Sequence, residues 1–292
     1  MANYAIFDEK YYLAQYPWVK PAIDAGVIAS GKEHFEKFGR AGGLTKVSRY
    51  FDEATYLAGN PDLAPFVKTV NPNAPFATGL DHFIQFGYDE GQRRTKVSPE
   101  YNEDFYLANN SELRSFIGAN APFKSGYQLK TGREHYFNFG KNEPSRDATF
   151  VGSRSNDIIT GVGVGNTELV GVEVGIDRNG NRQYESFGTN EFDVLIGSPG
   201  VDTFVLGVPA SAGNPSAAAL YTGNGQATIR NFDIENDLIQ LQGNSLSGYS
   251  LTPVGGNLSI QRFGDVLGVI EGGANLNLSF IQSNGNGTFA IG

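Results

Sequence analysis

Two aspartates, Asp193 and Asp202, stand nine residues apart in FGTNEFDVLIGSPGVDTFVLG, residues 187–207. Each follows a glycine by five positions (Gly188, Gly197) and precedes a large apolar residue by two (Leu195, Phe204). Laid out in nines, the stretch around them reads GSRSNDIIT (152–160), GVGVGNTEL (161–169), an insertion, GTNEFDVLI (188–196) and GSPGVDTFV (197–205). The first six residues of each unit suit a tight turn whose glycines supply positive φ. The eighth residue suits a buried position, and the sixth presents a carboxylate at the turn.

Glycine and charge divide the chain at the same place. Residues 1–147 hold 13 glycines and residues 148–292 hold 25. The first part carries 17 Lys and Arg against 18 Asp and Glu, the second 5 against 13, with no lysine. So acidic a half lacks the cations that phosphate contacts require, which excludes nucleic acid as its partner. It suits hard cations, which take oxygen ligands. The chain has no cysteine, so disulfides, zinc–thiolate sites and cysteine nucleophiles are excluded. No apolar run is long enough to span a membrane, and MANYAIFDEKYYLAQ lacks the basic and apolar regions of a cleavable leader.

Residues 1–147 contain a threefold repeat. FDEKYYLAQYPWV from Phe7, FDEATYLAGNPDL from Phe51 and YNEDFYLANNSEL from Tyr101 form one block, and SGKEHFEKFG, TGLDHFIQFG and TGREHYFNFG form the other. Asp8 and Asp52 read as N-caps of the first block. Ser30, Thr78 and Thr131, each followed three residues later by Glu33, Asp81 or Glu134, read as capping boxes of the second. Gly39, Gly87 and Gly140 are expected to end these helices in the left-handed conformation. Phe35/Phe38, Phe83/Phe86 and Tyr136/Phe139 are expected to form their buried faces. The three histidines, His34, His82 and His135, share one repeat position, where a half-buried ring packs on the aromatic residue at i+4. A metal shared by three imidazoles is the alternative. The sequence contains no HExxH, GxSxG or Walker-type loop, which points away from an enzyme.

The block pair F-D-x-x-Y-L-A-x-N-P-D and G-x-x-H-F-x-x-F-G resembles a repeat of secreted and surface proteins of cyanobacteria and some proteobacteria. The nonapeptides approach G-G-x-G-x-D-x-U-x and resemble the RTX calcium-binding repeat, which coils as a parallel β-roll. Ser153, Thr189 and Ser198 replace the second glycine, and the 161–169 unit has Asn166 at the acid position and Glu168 at the core position. The resemblance implies Ca²⁺ held between turns two apart. Asp157 then faces Asp193 in the better site, and Asp202 faces the degenerate second turn in a weaker one. Backbone carbonyls of Gly152, Arg154, Gly188, Asn190, Gly197 and Pro199 complete the ligand set. The insertion 170–187 reads as a hairpin turning at Asn179-Gly180, with Asp177 and Asn179 as secondary metal candidates. ATIRNFDIENDLIQLQG (227–243) is similar to the segment that closes RTX rolls, and adds Asp237 as another secondary candidate. Alternating strands, 249–254, 257–263, 266–272 and 288–292, are expected to cover the roll.

The expected fold is therefore α+β: three short-helix repeats (7–43, 51–91 and 101–141) within 1–147, then a short β-roll over 148–292 with an antiparallel cap and a secretion region in 227–292. The resemblance implies type I secretion with an uncleaved C-terminal signal, which agrees with the missing leader. It also implies a calcium-stabilised structural or adhesive protein of the cell surface or matrix that self-assembles or contacts other surface components. A polysaccharide- or partner-binding module and an RTX-tailed hydrolase are the alternatives.

Overall fold

A computed structural model describes residues 2–94, 97–98, 100–118, 129–177, 179, 181–210 and 216–292. The chain is α+β, with short helices followed by mixed, mostly parallel sheets. It divides into two compact units, one of residues 1–103 with 111–138, the other of residues 104–110 with 139–292. Among the described residues, no helix is long and apolar enough to cross a membrane.

In the first unit, Asp8 and Asp52 cap the helices Glu9–Gln15 and Glu53–Gly59 by accepting the Tyr11 and Thr55 N–H groups. The shorter helices Gly31–His34 and Gly79–His82 begin at Ser30 and Thr78, whose hydroxyls accept the N–H of Glu33 and Asp81 at 3.0 Å. A second device binds the two blocks. Glu9 accepts the N–H groups of Gly31 and Lys32, Glu53 those of Gly79 and Leu80, and Glu103 those of Gly132 and Arg133, all within 2.6–2.9 Å. A helix N-terminus leaves such donors unsatisfied, and a carboxylate also complements its dipole.

Two expectations about these helices are corrected. Gly39 and Gly87 do not adopt the left-handed conformation; each closes a turn of π-helix, Phe35–Gly39 and Phe83–Gly87, and left-handed glycines come later at Gly43 and Gly91. Close approach explains them instead. A Cβ on Gly39 would lie 2.6 Å from the Tyr12 hydroxyl, and one on Gly87 2.3 Å from that of Tyr56. Gly140 opens a 3-10 turn, Gly140–Asn142, rather than ending a helix. The aromatic pairs are also split by burial: Phe35, Phe83 and Tyr136 are in the core, whereas Phe38 is 56% exposed and Phe86 50%, with Phe139 exposed too. Each histidine is buried, and the Tyr12 and Tyr56 hydroxyls meet the Nδ1 atoms of His34 and His82 at 2.8 and 3.0 Å.

In the second unit the chain alternates between two sheets. Asp147–Gly152, Asn166–Ile176, Val201–Val205 and Leu238–Gln242 are parallel neighbours in one. Ile158–Thr160, Phe192–Ile196 and Gln226–Arg230 are parallel neighbours in the other. Register puts Phe150, Leu169, Phe204 and Ile239 in one buried row and Ile159, Leu195 and Ile229 in another. These rows supply the core, since each large apolar side chain buried contributes about 1.5–3 kcal/mol. The C-terminal strands extend both sheets at their edges: Asp265–Ile270, Asn257–Arg262 and Tyr249–Val254 on one, Thr288–Ile291 and Ile281–Ser283 on the other.

The ladder corrects the frame of the degenerate nonapeptide. Thr167, not Asn166, lies opposite Asp202, and Leu169, not Glu168, lies opposite Phe204. One residue of slip exchanges the faces of a strand. Glu168 therefore leaves the core row and accepts from Arg182 at 2.6 Å. The insertion forms a hairpin, Val174–Ile176 against Arg182–Tyr184. The turn expected at Asn179-Gly180 lies outside the described residues, because Gly180 does.

Candidate metal centre

The acid two positions before each core residue falls in the same phase on neighbouring strands, so the aspartates stack. Asp157 and Asp193 form one ladder: the Asp157 N–H donates to Asp193 Oδ1 at 2.8 Å. Asp202 and Asp237 form the other: the Asp202 N–H donates to Asp237 Oδ1, also at 2.8 Å. Three of the four acids also staple their own turns. Asp157 Oδ2 accepts from the Ser153 N–H at 2.7 Å, Asp202 Oδ2 from Ser198 at 2.6 Å and Asp237 Oδ2 from Asp233 at 2.8 Å. Stacked partners lie 36 and 35 residues apart, because a long excursion interrupts each circuit of the chain.

Asp193 departs from this pattern. Its Oδ2 accepts from the Tyr221 hydroxyl at 2.7 Å, in a buried setting. Asp202 departs in the other direction: its side chain is fully buried, and Oδ1 has no hydrogen-bond partner among the described residues. Burial pushes both carboxyls up to about 7. For Asp193 the Asp157 N–H and the Tyr221 hydroxyl oppose that rise, and the nearby acids Asp157 and Glu191 add to it. For Asp202 the Asp237 charge adds to it, and Ser198 and Thr167 oppose it. Burial also raises Asp237 and Glu191, and Glu191 Oε2 is buried without a partner among the described residues.

The turn glycines act mainly through close approach. Gly188 has a φ of 77°, as a turn glycine should, but Gly152, Gly161 and Gly197 are not in the left-handed region. A Cβ on Gly152 would lie 1.8 Å from the Gly171 carbonyl oxygen, so successive circuits could not stack with a side chain there. This corrects the expectation that these glycines serve positive φ.

The remaining sequence candidates fall at the turns. Gly188, Gly152 and Gly197 are buried; Arg154, Asn190 and Pro199 are exposed. The Arg154 side chain pairs with Glu173 and Glu185. Asn190 is itself left-handed, at φ 64°. Asp177 is committed to its own loop: Oδ1 accepts the N–H groups of Asn179 and Asn181 at 2.8 and 2.9 Å, and these bonds, led by the Asn181 side chain, lower its pKa.

Among the described residues no three His, Cys, Asp or Glu side chains converge as a metal site. A cation in either ladder would therefore rest on two carboxylates and on neutral oxygens. The Asp202–Asp237 pair fits a hard dication: one carboxylate oxygen is buried and unpaired, and it borders Gly161, where a Cβ would stand 3.1 Å away. The Asp157–Asp193 pair offers less, since both Asp193 oxygens already accept hydrogen bonds.

No protein-family model matches this chain, and a search of curated proteins finds no match. Asp237, a secondary candidate in the sequence, stacks on Asp202 although it stands 35 residues later and so off the nine-residue period. Tyr221 carried no periodic signal, lying in a Gly/Ala/Ser-rich stretch.

Proposed function

We propose that this chain is a non-catalytic, calcium-stabilised structural or adhesive protein of the cell surface or extracellular matrix, exported by the type I route. In this reading residues 148–292 form an RTX-like β-roll and residues 1–147 a three-repeat helical array that contacts other copies or surface components. The observation that carries it is the buried Asp202–Asp237 pair with its unpaired oxygen. Such a pair costs stability while both acids are charged and nothing neutralises them.

Asp202 and Asp237 would hold the ion, with turn carbonyls such as those of Gly197 and Pro199. Bound calcium supplies the positive charge that balances the two acids. In low calcium the charged acids loosen the strands. In millimolar calcium, binding to the folded state stabilises it by mass action, about 2.7 kcal/mol when the ion stands at a hundred times its Kd. That difference suits a protein that leaves a calcium-poor compartment for a calcium-rich one.

A second reading is a polysaccharide- or partner-binding module. It draws on the exposed rings Trp18, Phe38, Phe66 and Phe86 of the first two repeats, of which Trp18 and Phe38 flank His34. The two readings separate in a calcium titration of metal-stripped protein followed by circular dichroism and sedimentation. A gain of β-signal with large assemblies at millimolar calcium supports the first. Loss of neither signal nor solubility on stripping, with no response to calcium, overturns it.

A further inference from the structure

In both ladders each acid stands two residues before a core side chain, yet among the described residues only the Asp157–Asp193 ladder has a tyrosine built into it. Tyr221 is fully buried and holds a left-handed φ of 61°, a conformation that disfavours a bulky side chain. Its N–H donates to the Phe187 carbonyl at 2.8 Å, and the preceding Leu220 N–H donates to the Leu206 carbonyl at 2.9 Å. These bonds pin the strained residue in place, so that its hydroxyl meets Asp193 Oδ2.

The surroundings are shaped for that ring. A Cβ on Gly171 would stand 2.1 Å from the Tyr221 hydroxyl and 2.6 Å from Asp193 Oδ2. A Cβ on Gly188 would stand 2.6 Å from the ring itself. Two glycines of the coil thus leave space that Tyr221 fills. At Asp202 the Thr167 and Ser198 hydroxyls stand close enough to oppose the rise in its pKa, but among the described residues none meets Oδ1 within hydrogen-bond geometry.

The geometry points to Tyr221 as an internal substitute for a cation: it latches the Asp157–Asp193 ladder with a neutral hydroxyl and leaves Asp202–Asp237 as the ladder that takes calcium. A hydrogen bond to a charged group is among the stronger kind, so the hydroxyl meets the need that an ion would otherwise meet. This inference rests on the calcium reading and refines it, from two ladders that bind to one that binds and one that is sealed.

Equilibrium dialysis of the metal-stripped full chain against radioactive calcium at pH 8 tests it. The parent is expected to bind one saturable ion. Asp202→Asn is expected to lose it, Asp193→Asn to keep it, and Tyr221→Ala to gain a second at Asp193. Circular dichroism checks that each variant is folded; if Tyr221→Ala is not, the two asparagine variants decide. Two ions in the parent, or an ion lost with Asp193→Asn and kept with Asp202→Asn, overturns the latch while leaving the calcium reading intact. No saturable ion in the parent overturns both.

Discussion

At Asp193 both carboxylate oxygens accept hydrogen bonds from neutral donors, whereas at Asp202 one oxygen is buried with none among the described residues. Both acids occupy the same step of the nine-residue period, both stack on a second aspartate, and burial raises both to about 7. A period therefore decides where an acid stands in a coil, and the excursions between strands decide what it meets. The excursion that follows Val205 brings Tyr221 to one ladder, and among its described residues no tyrosine reaches the other.

The comparison breaks most severely if the latched ladder loses its room. Gly171→Ala drives a methyl into the Tyr221 hydroxyl and Asp193 without any demand on positive φ. It is expected to cost about 3 kcal/mol or more in urea unfolding, as overpacking of a rigid site does. A cost under about 1 kcal/mol would mean that the ring does not sit there.

Asp202→Asn tests the open ladder and has the opposite sign. Without calcium at pH 8 it removes a buried charge, and a gain of about 1–2 kcal/mol is expected. With calcium the parent overtakes it, because the variant has lost its ligand. Melting curves with and without calcium check the crossing.

The pH dependence of the metal-free parent sharpens the same point. Asp193 and Asp202 are raised from 3.8 to about 7 in the folded chain, so the folded state binds protons more tightly than the unfolded one. Their contribution is fully present below about pH 3.8 and is lost as pH rises through about 7. The Tm of the metal-free parent is expected to fall as pH rises through that window, as melting curves at stepped pH would show. Asp202→Asn should remove about half of that fall, and calcium at pH 8 should restore much of it in the parent.

The smallest effect is expected far from either ladder. Phe86→Ser changes a ring that is half exposed and should alter stability by no more than about 0.5 kcal/mol. Reduced retention of this variant on a polysaccharide column, with stability unchanged, would favour the ligand-binding reading of the repeats.

Much of the site was legible because turn chemistry and core burial leave periodic marks. Ile159, Leu195 and Phe204 are buried, as their spacing indicates, whereas Asp193 and Asp202 stand second in their strands rather than in the turns and Asp157 stands just before its strand. The helix caps Asp8, Asp52, Ser30 and Thr78 are local and equally readable. What the sequence hid was long-range. Glu168 leaves the core row by register with Val201–Val205 and pairs with Arg182, fourteen residues away across a hairpin. Glu9, Glu53 and Glu103 clamp helices more than twenty residues later. Gly39 and Gly87 looked like helix stops, but the tyrosine hydroxyls that require them come from the other block.

Carboxylate carbon NMR gives the most direct test of the contrast between the ladders. With the Asp193 and Asp202 resonances assigned by substitution, calcium is added to the metal-free chain at pH 8. The account predicts that the Asp202 signal moves and saturates while the Asp193 signal stays in place. Movement of Asp193 alone, or of both together, would contradict it.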